Sequence, residues 1–105
     1  MTDTPEIAYE HYLKVPVVRR MDYEILLEEH LEGTFIHCDV RNWTLSSAKA
    51  LGTDFKLLCE LHGGPIHALH DSRDRKHEKF LKFYGFEVLR PHEDHLEVWI
   101  WRNNG

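Results

Sequence analysis

The stretch "KHEKFLKFYGFEVL", residues 76–89, carries the pattern on which the fold prediction depends. Its larger side chains recur at the three- and four-residue spacing of one helical face: His77, Phe80, Leu81 and Tyr84. This spacing predicts a helix over about residues 73–84. Gly85 then supplies the left-handed backbone conformation at which helices commonly end, because it has no Cβ. Phe86 begins the strand that follows.

On both sides of this helix the chain alternates between β-rich and helical segments. Upstream, residues 34–40 predict a strand, residues 44–62 a long helix and residues 66–69 a second strand. Downstream, "FEVLR" and "HLEVWIWR" flank the turn-forming residues 91–94 and predict an antiparallel hairpin. Strands joined by helices should run parallel through right-handed crossovers. Both faces of residues 98–101 are apolar, which predicts a central position for the last strand.

Two short helices are predicted before residue 34. Pro5 suits a first helical position and predicts a helix over residues 5–13. Residues 15–18 predict a short strand, and the proline within it favours a position at the edge of the sheet. A second helix is predicted over residues 22–31, capped by Asp22, from a stripe at helical spacing: Tyr23, Leu26, Leu27, His30 and Leu31. Gly33 is then expected to end this helix.

The composition indicates one soluble domain over residues 1–105. The net charge of −5 argues against non-specific nucleic-acid binding, which requires a basic face, although residues 73–82 form a local basic cluster. No apolar run is long enough to cross a membrane. Two cysteines outside any CxxC motif, with no recognisable secretory leader, predict free thiols in the cytoplasm.

The predicted order, which ends in helix, Gly-Phe and hairpin, resembles the C-terminal half of the GNAT N-acetyltransferase superfamily. Residues 74–86 are similar to the family pattern N-x-x-A-x-x-[FL]-[YL]-x-x-x-G-F, with Asp74 at the Asn position and Gly85-Phe86 at the Gly-Phe. The form "KFLKFYGF" is compatible with the small GNAT-like proteins of tailed phages, and hence with a phage protein in a host cytoplasm. The expected fold is an α/β, GNAT-like mixed sheet, shortened at its N-terminus and preceded by short helices.

The resemblance implies a binding site for acetyl-CoA. In the family one strand, here residues 34–40, splays from its neighbour and exposes backbone groups to the pantetheine arm. The next helix points its N-terminus at the pyrophosphate, where backbone N–H groups and the helix dipole attract negative charge. The implied cofactor-binding residues are Arg41, Asn42, Thr44, Ser46, Ser47 and Asp74.

The catalytic candidates are His37 and Asp39, which lie two residues apart and therefore on one face of the strand. In the family, a base that activates the acceptor amine often comes from this strand, and an imidazole beside a carboxylate suits that role. A polar, half-exposed strand face is the alternative interpretation. The pairs His67/His70 and His92/His95 lack a nearby cysteine, so no metal site is predicted.

Two functions remain open at this point. One is an acetyl-CoA-dependent N-acyltransferase that acts on an amine. The other is a degenerate, non-catalytic GNAT-like protein that binds a host or virion protein. Two departures from the family favour the second: residues 41–47 contain no glycine, and Leu81 stands where many members carry a proton-donating tyrosine. The acceptor, the partner and the oligomeric state are not specified by the sequence.

Overall fold

The computed structural model describes residues 13–103 and shows a mixed α/β fold with a six-stranded sheet and two helices. The elements in chain order are β1 (Lys14–Arg19), β2 (Tyr23–His30), β3 (Gly33–Val40), α1 (Leu45–His62), β4 (Ile66–Asp71), α2 (Arg75–Phe83), β5 (Glu87–Pro91) and β6 (Leu96–Trp101). From β3 onward this is the predicted order of strands and helices. The helix predicted over residues 5–13 lies almost wholly outside the described residues.

The strands lie in the order β1-β2-β3-β4-β6-β5. β3 and β4 are parallel, as expected for strands joined by a helical crossover, and the other neighbouring pairs are antiparallel. The last strand, β6, lies between β4 and β5, which confirms its predicted central position. β1 lies at one edge, which confirms the predicted edge strand.

Both helices cover the same face of the sheet. Phe55 and Cys59 of α1 and Leu81 of α2 form one buried cluster with the sheet residues Ile66, Ala68 and Trp99. A second cluster joins Leu51 of α1 to two completely buried residues of β2, Tyr23 and Ile25. We call this the helix face of the sheet, and the other side the opposite face.

Local signals set the helix ends. Thr44 and Ser47 form a reciprocal capping box at the start of α1, and Gly63 ends that helix in the left-handed conformation at φ = 80°. The side chain of Asp74 accepts a hydrogen bond from the His77 backbone N–H at the start of α2. Gly85 has φ = 90°, as predicted for the residue that turns the chain from α2 into the last hairpin.

The helix predicted over residues 22–31 is wrong, because this segment is strand β2. It pairs with β3 along its whole length, from Tyr23 opposite Val40 to His30 opposite Gly33, and with β1 on its other side. Two flanking strands satisfy its backbone groups, and this tertiary pairing overrides the helical spacing of its apolar residues. Gly33, expected as a helix stop, instead follows a hairpin turn, at φ = 148°.

Candidate functional site

A gap opens in the sheet between β3 and β4. β3 has eight residues, yet it pairs with β4 only at Thr34–Ile66 and Phe35–His67. β4 remains paired with β6 along all six of its residues, and β3 remains paired with β2. Beyond Phe35 the facing edges of residues 36–40 and 68–71 are therefore not paired with each other. Such an edge presents backbone donors and acceptors to a ligand.

A cavity of about 40 Å³ lies on the helix face beside this gap. Ile36 and Cys38 of β3 line one side and Ala68 of β4 the other, while α1 and α2 close it with Leu51, Phe55, His77, Phe80, Leu81 and Tyr84. Ile36, Cys38, His77, Phe80 and Tyr84 are only partly buried, so the cavity opens on their side. Its lining is largely apolar and its volume would hold only a few non-hydrogen atoms.

Two histidines contact each other near the end of β4, and one of them, His77, lines the cavity. The Nδ1 atoms of His70 and His77 lie 2.8 Å apart, so one of them donates a proton to the other. His70 is 1% exposed, and its Nε2 is buried without a hydrogen-bond partner among residues 13–103. Burial, followed by the adjacent His70, lowers the pKa of His77. His77 is therefore predominantly neutral at pH 7.

On the opposite face, next to the same gap, a carboxylate lies between two imidazoles. Nε2 of His37 donates to Oε1 of Glu28 at 2.6 Å, and Nε2 of His30 lies 3.4 Å from the same oxygen. Burial alone would raise the pKa of Glu28, but the hydrogen bonds from His37 and His30 outweigh it and the net shift is downward. Glu28 is therefore ionised at neutral pH and can stabilise positive charge on either ring.

The structure places the two predicted catalytic residues on one strand face but gives them different surroundings. His37 is half-buried and bound to Glu28, not to Asp39. The Asp39 side chain is 67% exposed, and its nearest cation is Arg41 at 3.9 Å. Asp39 lies opposite Glu24 in the β2–β3 register, and Glu24 forms an ion pair with Arg19 at 2.8 Å.

The predicted phosphate-binding residues are largely occupied by one another or by backbone. Arg41 donates through its side chain to the carbonyls of Arg20 and Met21, and the backbone N–H groups of Arg41 and Asn42 both donate to the Asp22 carbonyl. The hydroxyls of Thr44 and Ser47 cap each other's backbone N–H groups. Ser46 is exposed. Asp74, on the other helix, caps α2.

Comparison of the chain with protein-family models, with curated proteins and with solved structures finds no match. Within residues 13–103, no helix is both long and apolar enough to cross a membrane. The same residues hold no group of three or more histidine, cysteine, aspartate or glutamate side chains placed to bind a metal ion. The chemistry of the site must therefore be inferred from its own geometry.

Glu28 and His30 were not among the sequence candidates. Both fall in the segment read as a helix, where they would not have faced His37 across a strand pair. The two-residue alternation within "YEILLEEH", residues 23–30, is the sequence pattern that indicates both residues. In a strand it places Glu24, Leu26, Glu28 and His30 on one face. The hairpin turn at Leu31-Glu32 then brings that face beside His37.

Proposed function

We propose that the chain is a GNAT-like N-acyltransferase that binds an acyl-pantetheine thioester in the gap between β3 and β4. The observation that carries this proposal is the loss of pairing between the two strands after Phe35. A splayed strand at this place is what the GNAT resemblance implies, and so is a last strand inserted between its two neighbours. In this arrangement the pantetheine amides pair with the backbone of residues 36–40, as an added strand would.

The cavity beside the gap favours a short acyl group. It is apolar, and its 40 Å³ matches two or three non-hydrogen atoms better than a long chain. Acetyl is the simplest group of that size. The ionised Glu28 beside His37, on the opposite face, favours an acceptor that carries positive charge, such as a primary amine.

His37 is the proposed general base. Its Nε2 proton is donated to Glu28, which leaves the lone pair of Nδ1 to take a proton from the acceptor nitrogen. That nitrogen attacks the thioester carbonyl, the C–N bond forms, the C–S bond breaks and the thiolate leaves. Glu28 stabilises the imidazolium. Leu81 is 2% exposed and has no proton to give, so the thiolate takes a proton from water, and the His37 imidazolium returns its proton to solvent.

Calorimetric titration with acetyl-CoA, together with release of free thiol in the presence of spermidine or a lysine-containing peptide, tests the proposal. The expected result is saturable binding and turnover that falls by about 10²–10⁴-fold in His37→Gln, the usual contribution of a general base. His92→Gln, in the exposed β5–β6 turn, is the matched control and should retain activity.

A second candidate is the non-catalytic, GNAT-like protein that binds a host or virion protein. It is favoured by the closed capping box at the start of α1, which occupies the hydroxyls that would otherwise contact phosphate, and by the buried Leu81. Absence of both thioester binding and thiol release at millimolar acetyl-CoA and S-acetyl-pantetheine, with folded protein, would select this candidate over the enzyme.

A further inference from the structure

One flank of α2 is positively charged although the whole chain carries a net charge of −5. Two nearby cations are paired, Arg73 with Asp71 and Lys82 with Glu78. Arg75, Lys76 and Lys79 are exposed and form no ion pair within the described residues. Phe80 lines the cavity. Lys76 lies one helical turn before Phe80, and Lys79 lies one turn after Lys76. The two lysines therefore lie on the flank of α2 that adjoins Phe80.

Exposed apolar side chains accompany these cations. Trp43 is 50% exposed and its ring centroid lies 6.0 Å from that of Phe80. Leu45, which begins α1, is 77% exposed, and Phe83, on α2, is 78% exposed. We call the set of Trp43, Leu45, Lys76, Lys79 and Phe83 the rim. Exposed apolar and aromatic side chains that lie together are typical of a protein-binding site.

The start of α1 is also poorly suited to bind a nucleotide phosphate. The hydroxyls of Thr44 and Ser47 cap the helix, and the Arg41 guanidinium is held by two backbone carbonyls. Ser46 is exposed, but the other three, which the resemblance also places near the pyrophosphate of free coenzyme A, already have partners. Nucleotide phosphates therefore gain little here, whereas the gap between β3 and β4 can still take a pantetheine arm.

We propose that the acyl donor is presented on the phosphopantetheine arm of an acidic carrier protein, which docks on the rim while its arm enters the gap between β3 and β4. This inference rests on the proposed acyltransferase function and names its donor. Lys76 and Lys79 attract the acidic surface of the carrier, and Trp43, Leu45 and Phe83 supply the apolar contact. Free coenzyme A also carries negative charge, on its phosphates, but it has no protein surface that could cover Trp43, Leu45 and Phe83 together.

Three donors test the proposal on the full chain: acetyl-CoA, S-acetyl-pantetheine, and an acetylated acidic acyl carrier protein. The expected kcat/KM for the carrier protein exceeds that for acetyl-CoA by at least about tenfold. Lys76→Glu/Lys79→Glu should lower the carrier value by about tenfold or more and leave S-acetyl-pantetheine unchanged. Lys14→Glu/Lys56→Glu makes the same charge change away from the rim and should leave all three values unchanged.

Salt supplies an independent measurement, because raising the ionic strength from about 0.05 to 0.3 M screens exposed charges. The higher ionic strength should lower the affinity for the carrier protein, as measured by calorimetry, but not the affinity for S-acetyl-pantetheine. The carrier proposal is overturned if acetyl-CoA is the equal or better donor, or if the rim variant loses activity equally with all donors. If none of the three donors binds or reacts, the acyltransferase function itself fails, and the carrier proposal fails with it.

Discussion

Gly33 lies directly against the imidazole ring of His67. A Cβ atom built on Gly33 would lie 2.6 Å from Cε1 and 2.9 Å from Nδ1 of that ring. His67 is 6% exposed and stacks on Phe35 with ring centroids 5.2 Å apart, so the ring has little room to move aside. The chain can therefore enter β3 beside the His67 ring only because residue 33 has no side chain.

Gly33→Ala should accordingly destabilise the protein more than an alanine at another positive-φ glycine. Gly63→Ala is the matched control, because its φ is 80° but nothing lies within 4 Å of the added Cβ. The control should lose about 1 kcal/mol from backbone strain alone. Gly33→Ala should lose at least about 1 kcal/mol more, because the buried ring must shift. Urea unfolding of the three proteins measures this difference, and equal losses would contradict the close contact.

Asp54 links the end of β1, strand β2 and α1, and its replacement should give a pH-dependent loss of stability. Its carboxylate accepts from Arg20 at 2.6 and 2.9 Å and from the buried Tyr23 hydroxyl at 2.5 Å. The bonds from Arg20, which outweigh the effect of burial, lower the pKa of Asp54. Asp54 therefore stabilises the fold fully above the ordinary aspartate pKa of about 3.9, and this contribution is lost as the pH falls through the lower folded value.

The corresponding experiment compares Asp54→Asn with wild type at pH 7 and at pH 3. The variant should have a lower free energy of unfolding at pH 7, where the bond from Tyr23 to a carboxylate alone is worth about 1.5 kcal/mol. The difference should shrink at pH 3. Glu60→Gln, an exposed carboxyl change on the same helix, should show neither effect. A pH-independent difference for Asp54→Asn would refute the ionic interpretation.

Removal of His37 should raise the pKa of Glu28. Burial pushes that pKa up, while hydrogen bonds from His37 and then His30 push it down by more. In His37→Ala the upward effect of burial remains and the larger downward contribution is lost, so the carboxyl should titrate at higher pH. Carbon-13 NMR of the Glu28 carboxyl follows this shift. His92→Ala, whose ring lies 3.9 Å from Glu93, serves as the control and should leave Glu28 unchanged.

The sequence predicted the half of the fold whose local signals agree with its tertiary contacts. In α1 the cap at Thr44, the apolar stripe and Gly63 all indicate the same helix, and the structure has it. In β2 two periods coexist, because Tyr23, Leu27 and His30 fit a helix as well as Tyr23, Ile25 and Leu27 fit a strand. Pairing with strands on both sides decides between them, and this information is not local.

The same ambiguity limited the site prediction. Residues 34–40 predict a strand and therefore indicate His37, but its partner Glu28 lies in the segment whose pattern predicts a helix. The gap between β3 and β4 has no sequence signature of its own, since residues 36–40 and 68–71 are as β-rich as paired strands. Only the resemblance to the GNAT superfamily predicted this gap.

The two cysteines provide a test of the proposed pantetheine site. Burial, followed by the nearby Asp39, raises the pKa of Cys38 to about 11, and burial with Glu60 does the same for Cys59. At pH 7.5 both should therefore react with iodoacetamide about a hundredfold more slowly than an ordinary thiol, because the thiolate is the nucleophile. Cys38 should react before Cys59, since only Cys38 is partly exposed.

A ligand in the gap should protect Cys38 selectively. Cys38 lines the cavity beside residues 36–40, whereas Cys59 lies deeper in the core, against Ile66 and Phe86. Saturation with S-acetyl-pantetheine should slow alkylation of Cys38 and leave the Cys59 rate unchanged, as measured by mass spectrometry of tryptic peptides. Equal slowing of both thiols would indicate general stabilisation of the fold. No protection of Cys38 despite calorimetrically confirmed binding would place the ligand elsewhere, because an arm paired with the β3 edge covers the approach to that sulfur.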